Sequence, residues 1–150
     1  MSPDGRQLVF AAAPNSGGDA RLWLQPLAST AVTELPGTVG ASFPFWSPNS
    51  RAVGFFADGQ MKRVSMAGGN PVVVCEASEG KGGLWLDDDT IVFASTANSP
   101  LLRVKTAGGV PVPLTSLADD ESGHRFPQRL PGRHLLYYSV NRTPEKAERG

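Results

Sequence analysis

Among residue types able to do chemistry, the chain offers two histidines, His124 and His134, one cysteine, Cys75, and two acidic runs, Asp87-Asp88-Asp89 and Asp119-Asp120-Glu121. Two imidazoles ten residues apart are too few for a zinc site without carboxylate help. Asp87-Asp88-Asp89 lacks the alternation and the glycine of a calcium loop, so a solvated turn is expected. The run at 119–121 reads as part of a long connection. A lone cysteine excludes an intramolecular disulfide and a thiolate metal cluster, and Cys75 is expected to be a small buried hydrophobe. Gly40-Ala41-Ser42-Phe43-Pro44 approaches a nucleophile elbow but lacks its last glycine and lies on an expected strand. No catalytic, cofactor or metal residue is therefore assigned.

What remains are residues suited to recognition. His124 and Arg125 stand side by side before an expected strand, and Trp46, Trp85 and Arg129 occupy equivalent places in three copies of a repeat. These five are the candidate channel or rim contacts. Each has a plainer alternative: loop hydrogen bonding for the first pair, packing between sheets for the tryptophans. Arginine outnumbers lysine ten to four, enough to supply carboxylate-binding forks, although the balance of 14 basic and 14 acidic residues makes internal pairing the default. That neutrality also argues against nucleic acid or an anionic membrane as partner. The longest uninterrupted apolar run, Leu8 to Ala13, is six residues, so no membrane span and no signal peptide is expected in these 150 residues.

The elements that must position these residues come from repetition. Gly and Pro make 30 of the 150 residues, a turn-dense composition. Ser2-Pro3-Asp4-Gly5 followed by Arg6-Gln7-Leu8-Val9-Phe10 returns as Ser47-Pro48-Asn49-Ser50 followed by Arg51-Ala52-Val53-Gly54-Phe55. Weaker copies end at Phe93 and Tyr137, giving spacings of 45, 38 and 44 residues between the aromatics. Arg63-Val64-Ser65-Met66-Ala67-Gly68-Gly69 returns 40 residues later as Arg103-Val104-Lys105-Thr106-Ala107-Gly108-Gly109. A period near 40 built of short β-branched or aromatic runs suits four strands per unit, here called A to D.

On that frame the first unit holds strands B to D within residues 2–36, the second spans 41–76, the third 82–117, and the fourth starts at 124–140, with 141–150 a polar tail. In strand B, Leu8/Phe10, Val53/Phe55, Ile91/Phe93 and Leu135/Tyr137 point to one face and Val9, Gly54, Val92 and Leu136 to the other. Neither face is polar, so each sheet needs a neighbour on both sides. Radially packed blades supply that; a sandwich with wet outer faces does not. Pro44, Pro127, Pro71, Pro111 and Pro113 fall on strands A and D, the edges of each sheet. The fold class is all-β, a partial β-propeller of about three and a half four-stranded blades. Ser50 stands where Gly5 and Gly132 stand, so it is expected in the left-handed region, and Ser50→Gly is expected to stabilise the chain.

The Ser-Pro-Asp-Gly block, Phe43-Pro44-Phe45-Trp46-Ser47-Pro48-Asn49-Ser50-Arg51 and Leu102-Arg103-Val104-Lys105-Thr106-Ala107-Gly108-Gly109 resemble the TolB-type, WD-like β-propeller repeat over residues 2 to about 140. The stretch from Leu22-Trp23-Leu24-Gln25-Pro26-Leu27 through Phe56-Ala57-Asp58-Gly59, then His124-Arg125-Phe126-Pro127, is similar to the propeller that follows the kinase domain of many bacterial Ser/Thr protein kinases. That resemblance implies a sensor or docking module for a protein or small molecule on the extracytoplasmic side of a bacterial membrane. A gating propeller of a prolyl-oligopeptidase-like enzyme and a TolB-like periplasmic binding protein are the alternatives. Kinase motifs are absent: His124-Arg125 is followed by Phe126, not by the phosphoryl-transfer aspartate. The family repeats more blades than this, so further blades or a second copy, exchanging residues near 122 to 128, are the expected partners. The surplus strand B at 133–140 counts against such an exchange.

Overall fold

The computed structural model describes residues 1–142. Those residues form thirteen strands and no helix. The first sheet has the order β1 (Gln7–Ala12), β2 (Arg21–Pro26), β3 (Thr33–Glu34). The second runs β4 (Ser42–Trp46), β5 (Ala52–Ala57), β6 (Gln60–Ser65), β7 (Val72–Glu76), and the third β8 (Gly83–Trp85), β9 (Thr90–Ala94), β10 (Leu101–Lys105), β11 (Val112–Pro113). β12 (Glu121–Arg129) and β13 (Leu135–Asn141) pair alone. All pairings are antiparallel between neighbours in sequence, which gives a partial β-propeller of three and a half blades. Two boundaries differ from the sequence expectation. The fourth unit starts at Glu121, because the acidic run ends in a strand rather than a connection, and Asn141 closes β13 instead of opening a tail. The rest of the expected tail, from 143, lies outside the described residues.

The turn between strands A and B is the same small machine in its first two copies. Ser2 N–H donates to the Gln7 carbonyl (2.7 Å) and accepts Gln7 N–H on its hydroxyl (3.0 Å), while that hydroxyl donates to Asp4 Oδ1 (2.6 Å). Ser47, Ala52 and Asn49 repeat the pattern at 2.8, 2.9 and 2.8 Å. Both serines are buried, so these bonds satisfy groups that water cannot reach. The closing position is left-handed in all four copies: φ is 73° at Gly5, 62° at Ser50, 59° at Asp89 and 84° at Gly132.

Packing runs between sheets. Val9 and Leu22 of blade 1 meet Val53, Phe55 and Val64 of blade 2. On its other face blade 2 presents Phe45, Phe56, Met61, Val74 and Cys75 to Ile91, Phe93 and Val104 of blade 3. Val92, Ala94 and Leu101 of blade 3 then meet Leu135 and Tyr137 of blade 4. β9 is buried along its whole length and β5 at all but its first residue, whereas β1 buries only Val9 and β13 alternates between half-buried and exposed residues from Leu135 to Tyr138. Full burial of Phe55 and Phe93 contributes about 1.5–3 kcal/mol each. Gly54 and Gly83 leave the slot in which the Phe45 ring lies: a Cβ on either would collide with it.

Ser50 carries a contact that its sequence did not announce. Its hydroxyl accepts the Asp4 N–H at 3.1 Å and ties the turn of blade 2 to that of blade 1. Glycine at 50 would relieve about 1 kcal/mol of left-handed strain but lose that bond and gain unfolded-chain entropy of about 0.4–1 kcal/mol. The expected gain is therefore cancelled: Ser50→Gly should leave the urea midpoint within experimental error of wild type. Gly5→Ala should cost about 1–2 kcal/mol by backbone strain alone, since no atom lies within 4 Å of the added carbon. A stabilised Ser50→Gly or a neutral Gly5→Ala in the same titration would contradict this account of the turns.

Candidate functional site on the inner strands

The inner strands β4 and β12, and the residue that enters β8, share one left-handed position. Phe43 has φ 47°, Gly82 φ 94° and Phe126 φ 52°. Register shifts accompany it, between Ser42 and Phe45 in β4 and between Arg125 and Gln128 in β12. Positive φ in a bulky residue is a true outlier, and both phenylalanines precede proline. Strain of about 1–3 kcal/mol at each is the expected cost.

The bulges turn the rings toward each other. Phe43 and Phe126 meet edge to face with centroids 5.3 Å apart, although they belong to blades 2 and 4. Gly82 of blade 3 lies between, and a Cβ there would stand 2.9 Å from Phe126 Cα and Cδ1. Phe126 N–H donates to the Lys81 carbonyl at 2.9 Å. Tyr138 extends the row, T-shaped against Phe126 at 6.2 Å, and Lys81 Nζ lies 5.9 Å from the centre of the Phe43 ring. Phe43 is 40% exposed and Tyr138 62%. Beside them opens a cleft of about 580 Å³ lined by Ser42, Phe43, Asp58, Glu79 and Lys81. The row presents flat aromatic surface with a cation at one end, beside carboxylates of Asp58 and Glu79 in the cleft.

His124 is placed differently from the channel or rim role considered for it. It is 1% exposed, with Nε2 2.9 Å from Glu121 Oε2 and Nδ1 2.7 Å from Thr115 Oγ1, and its ring lies 4.5 Å from that of Tyr137. The Glu121 carboxylate can only accept, so Nε2–H donates to it, while Nδ1 pairs with Thr115 Oγ1, which also accepts Leu101 N–H. The network is closed, with no atom left for a ligand. The Ser139 hydroxyl on Glu121, then the Ala118 N–H at 2.8 Å and then His124, hold this carboxyl down at about 2. Together they pin β12 and β13 to the connection leaving blade 3.

Arg125 gives one guanidinium N–H to the Ala97 carbonyl at 3.1 Å, and its Nε is buried without a partner among the described residues. Trp46 packs against the Val9–Phe55 cluster and Trp85 against the Phe45–Ile91 cluster, so both serve as inter-blade packing. Arg129 remains at the surface, paired with Asp87 at 2.6 Å. Burial pushes the Cys75 thiol up to about 11, as expected of a core residue. Among the described residues no group of three His, Cys, Asp or Glu side chains could hold a metal.

Phe43, Phe126, Tyr138 and Lys81 were not singled out from sequence as contacts. The repeated Phe-Pro at 43–44 and 126–127 was visible; the left-handed backbone and the ring contact across a missing side chain at Gly82 were not.

No family model matches the chain, and no curated protein matches it. Among solved structures it is similar to "putative TolB from Agrobacterium tumefaciens", with a TM-score of 0.80 and 17% identity over 94% of this chain and 53% of that one. The chain thus spans about half the length of that structure, and the likeness is one of fold: a TolB-like β-propeller.

The Glu121 network has an acid signature. Because its folded value of about 2 lies below the ordinary 4.5, the ionised carboxylate stabilises the fold above pH 4.5, and that contribution is lost as pH falls from 4.5 toward 2. Urea midpoints of wild type and Glu121→Gln should differ most near neutrality and converge in acid. A gap that is constant across this range would show that the carboxylate charge has no part in holding β12.

Proposed function

We propose that this chain is a non-catalytic binding propeller that takes a protein or small-molecule ligand on its inner aromatic row. Two phenylalanines held in the left-handed region carry the proposal. Packing alone would not keep them there, since glycine serves at the equivalent position in blade 3. Backbone strain retained beside exposed aromatic surface is the pattern of a site shaped for an occupant. The finer assignment, a sensor propeller of a bacterial Ser/Thr kinase on the extracytoplasmic side of its membrane, rests on the similarity of residues 22–59 and 124–127. A TolB-like periplasmic binding protein is the second assignment, favoured by the fold neighbour. No helix in the described residues is long and apolar enough to cross a membrane.

The test separates binding from folding. Phe43→Gly removes the strain but also the ring contact and adds unfolded-chain entropy, so its thermal midpoint should stay near that of wild type, while capture of a partner from cell extract by the immobilised chain should be lost. Capture that is equal for both proteins, or absent for wild type, contradicts the proposed site.

A further inference from the structure

Charge beside the inner strands is left without its counterpart. Among the described residues the half-buried basic side chains are Arg21, Lys62, Arg63, Lys81 and Arg125. Arg21 is held by Glu34 at 3.1 Å and Lys62 by Asp58 at 2.8 Å, while Arg63 gives its Nε–H to the Thr106 carbonyl at 3.0 Å. Lys81 and Arg125 have no carboxylate partner among the described residues. Arg125 spends one N–H on the Ala97 carbonyl, an uncharged acceptor that leaves its charge uncompensated. For Lys81 a contact with the Phe43 ring, 5.9 Å from Nζ to the ring centre, stands where an ion pair would.

The two residues are copies of each other. Each precedes the left-handed position of its inner strand, at Gly82 and Phe126, where the copy before Phe43 is Ser42. Phe126 N–H donates to the Lys81 carbonyl at 2.9 Å, so adjoining strands bring both residues to one level beside the aromatic row. The carboxylates of the neighbouring cleft do not cancel them. Asp58 is already paired with Lys62, and Glu79 is exposed to water. Lys62, Lys81 and Arg125 thus stand against Asp58 and Glu79, which leaves one positive charge over, and the cation that lines the cleft without a partner is Lys81.

We propose that the ligand of the aromatic row is a small planar aromatic acid carrying a single negative charge, its ring against Phe43 and its carboxylate on Lys81 Nζ. The inference rests on the row being the binding site and adds the class of molecule bound there. An ammonium group has three donors and no acceptor, so a carboxylate satisfies it where another amine or a plain ring cannot. A neutral aromatic molecule would leave Lys81 unpaired, and a cationic one would meet like charge. A dianion would bring more negative charge than the site has to spare. Arg125 strengthens the local field without touching the ligand.

An NMR titration of the 150-residue chain with naphthoate and with its uncharged analogue naphthamide tests this. Naphthoate should bind at least about threefold more tightly, with the shifts centred on Phe43 and Lys81. Lys81→Gln should abolish that preference and leave the naphthamide affinity unchanged, which also shows that the variant is folded. Lys81→Arg should keep the preference, and Lys105→Gln, at an exposed site, should not alter it. Equal affinity of the wild type for both probes, or a preference that survives Lys81→Gln, overturns the assignment of an acid while leaving the aromatic row as a site. Binding of neither probe overturns the row and the acid together.

Discussion

A sheet that is apolar on both faces cannot be left with either face in water, and this constraint organises the whole molecule. In blades 2 and 3 it is met on both sides: β5 and β9 are buried nearly throughout because a sibling sheet lies on each. Directionality follows from alternation. Since residues two apart share a face, the same two positions of strand B look backward in every blade and the positions between look forward. Glycine is the adjusting element, with Gly54 and Gly83 admitting the Phe45 ring where a methyl group would hold the sheets apart.

The same constraint explains how strain is tolerated at the inner strands. Phe43 and Phe126 sit on edge strands whose outer neighbours β5 and β13 continue undisturbed past each bulge, so the ladder loses little while the rings are redirected. Gly82 lets rings from blades 2 and 4 meet across blade 3. Polar support is spent elsewhere: the Thr115–His124–Glu121–Ser139 network joins blade 4 to the connection leaving blade 3 and fixes β12, the strand that carries Phe126. A half-buried ring at Phe126 and a buried imidazole at His124 thus stand two residues apart on one strand, His124 given wholly to the polar network.

The blade frame was legible in the sequence because it depends on local signals. The recurring Ser47-Pro48-Asn49-Ser50 type of block fixes a turn through its own side chains, and the alternation in Val53-Gly54-Phe55 fixes two buried faces. The left-handed φ of Ser50 followed from its alignment with Gly5, whereas its bond to Asp4 depends on how two blades abut and has no local trace. His124 misleads in sequence for the same reason. Its partners Thr115 and Glu121 are ordinary polar residues in a connection until the fold brings them around one imidazole. Trp46 and Trp85 end the first strand of successive blades, and each is half-buried against the core that its blade shares with the one before, so equivalence in a repeat accompanies shared packing.

The central claim is that contact between blades, not pairing within them, holds the chain in this form. The most direct test is a double-mutant cycle across the seam between blades 2 and 3, pairing Gly83→Ala with Phe45→Ala and following urea unfolding. Gly83→Ala should be destabilising by about 1–3 kcal/mol through overpacking, and most of that penalty should vanish once Phe45 is removed. Strictly additive effects would mean that the two sheets do not press on one another there, and the stacked-blade account would fail.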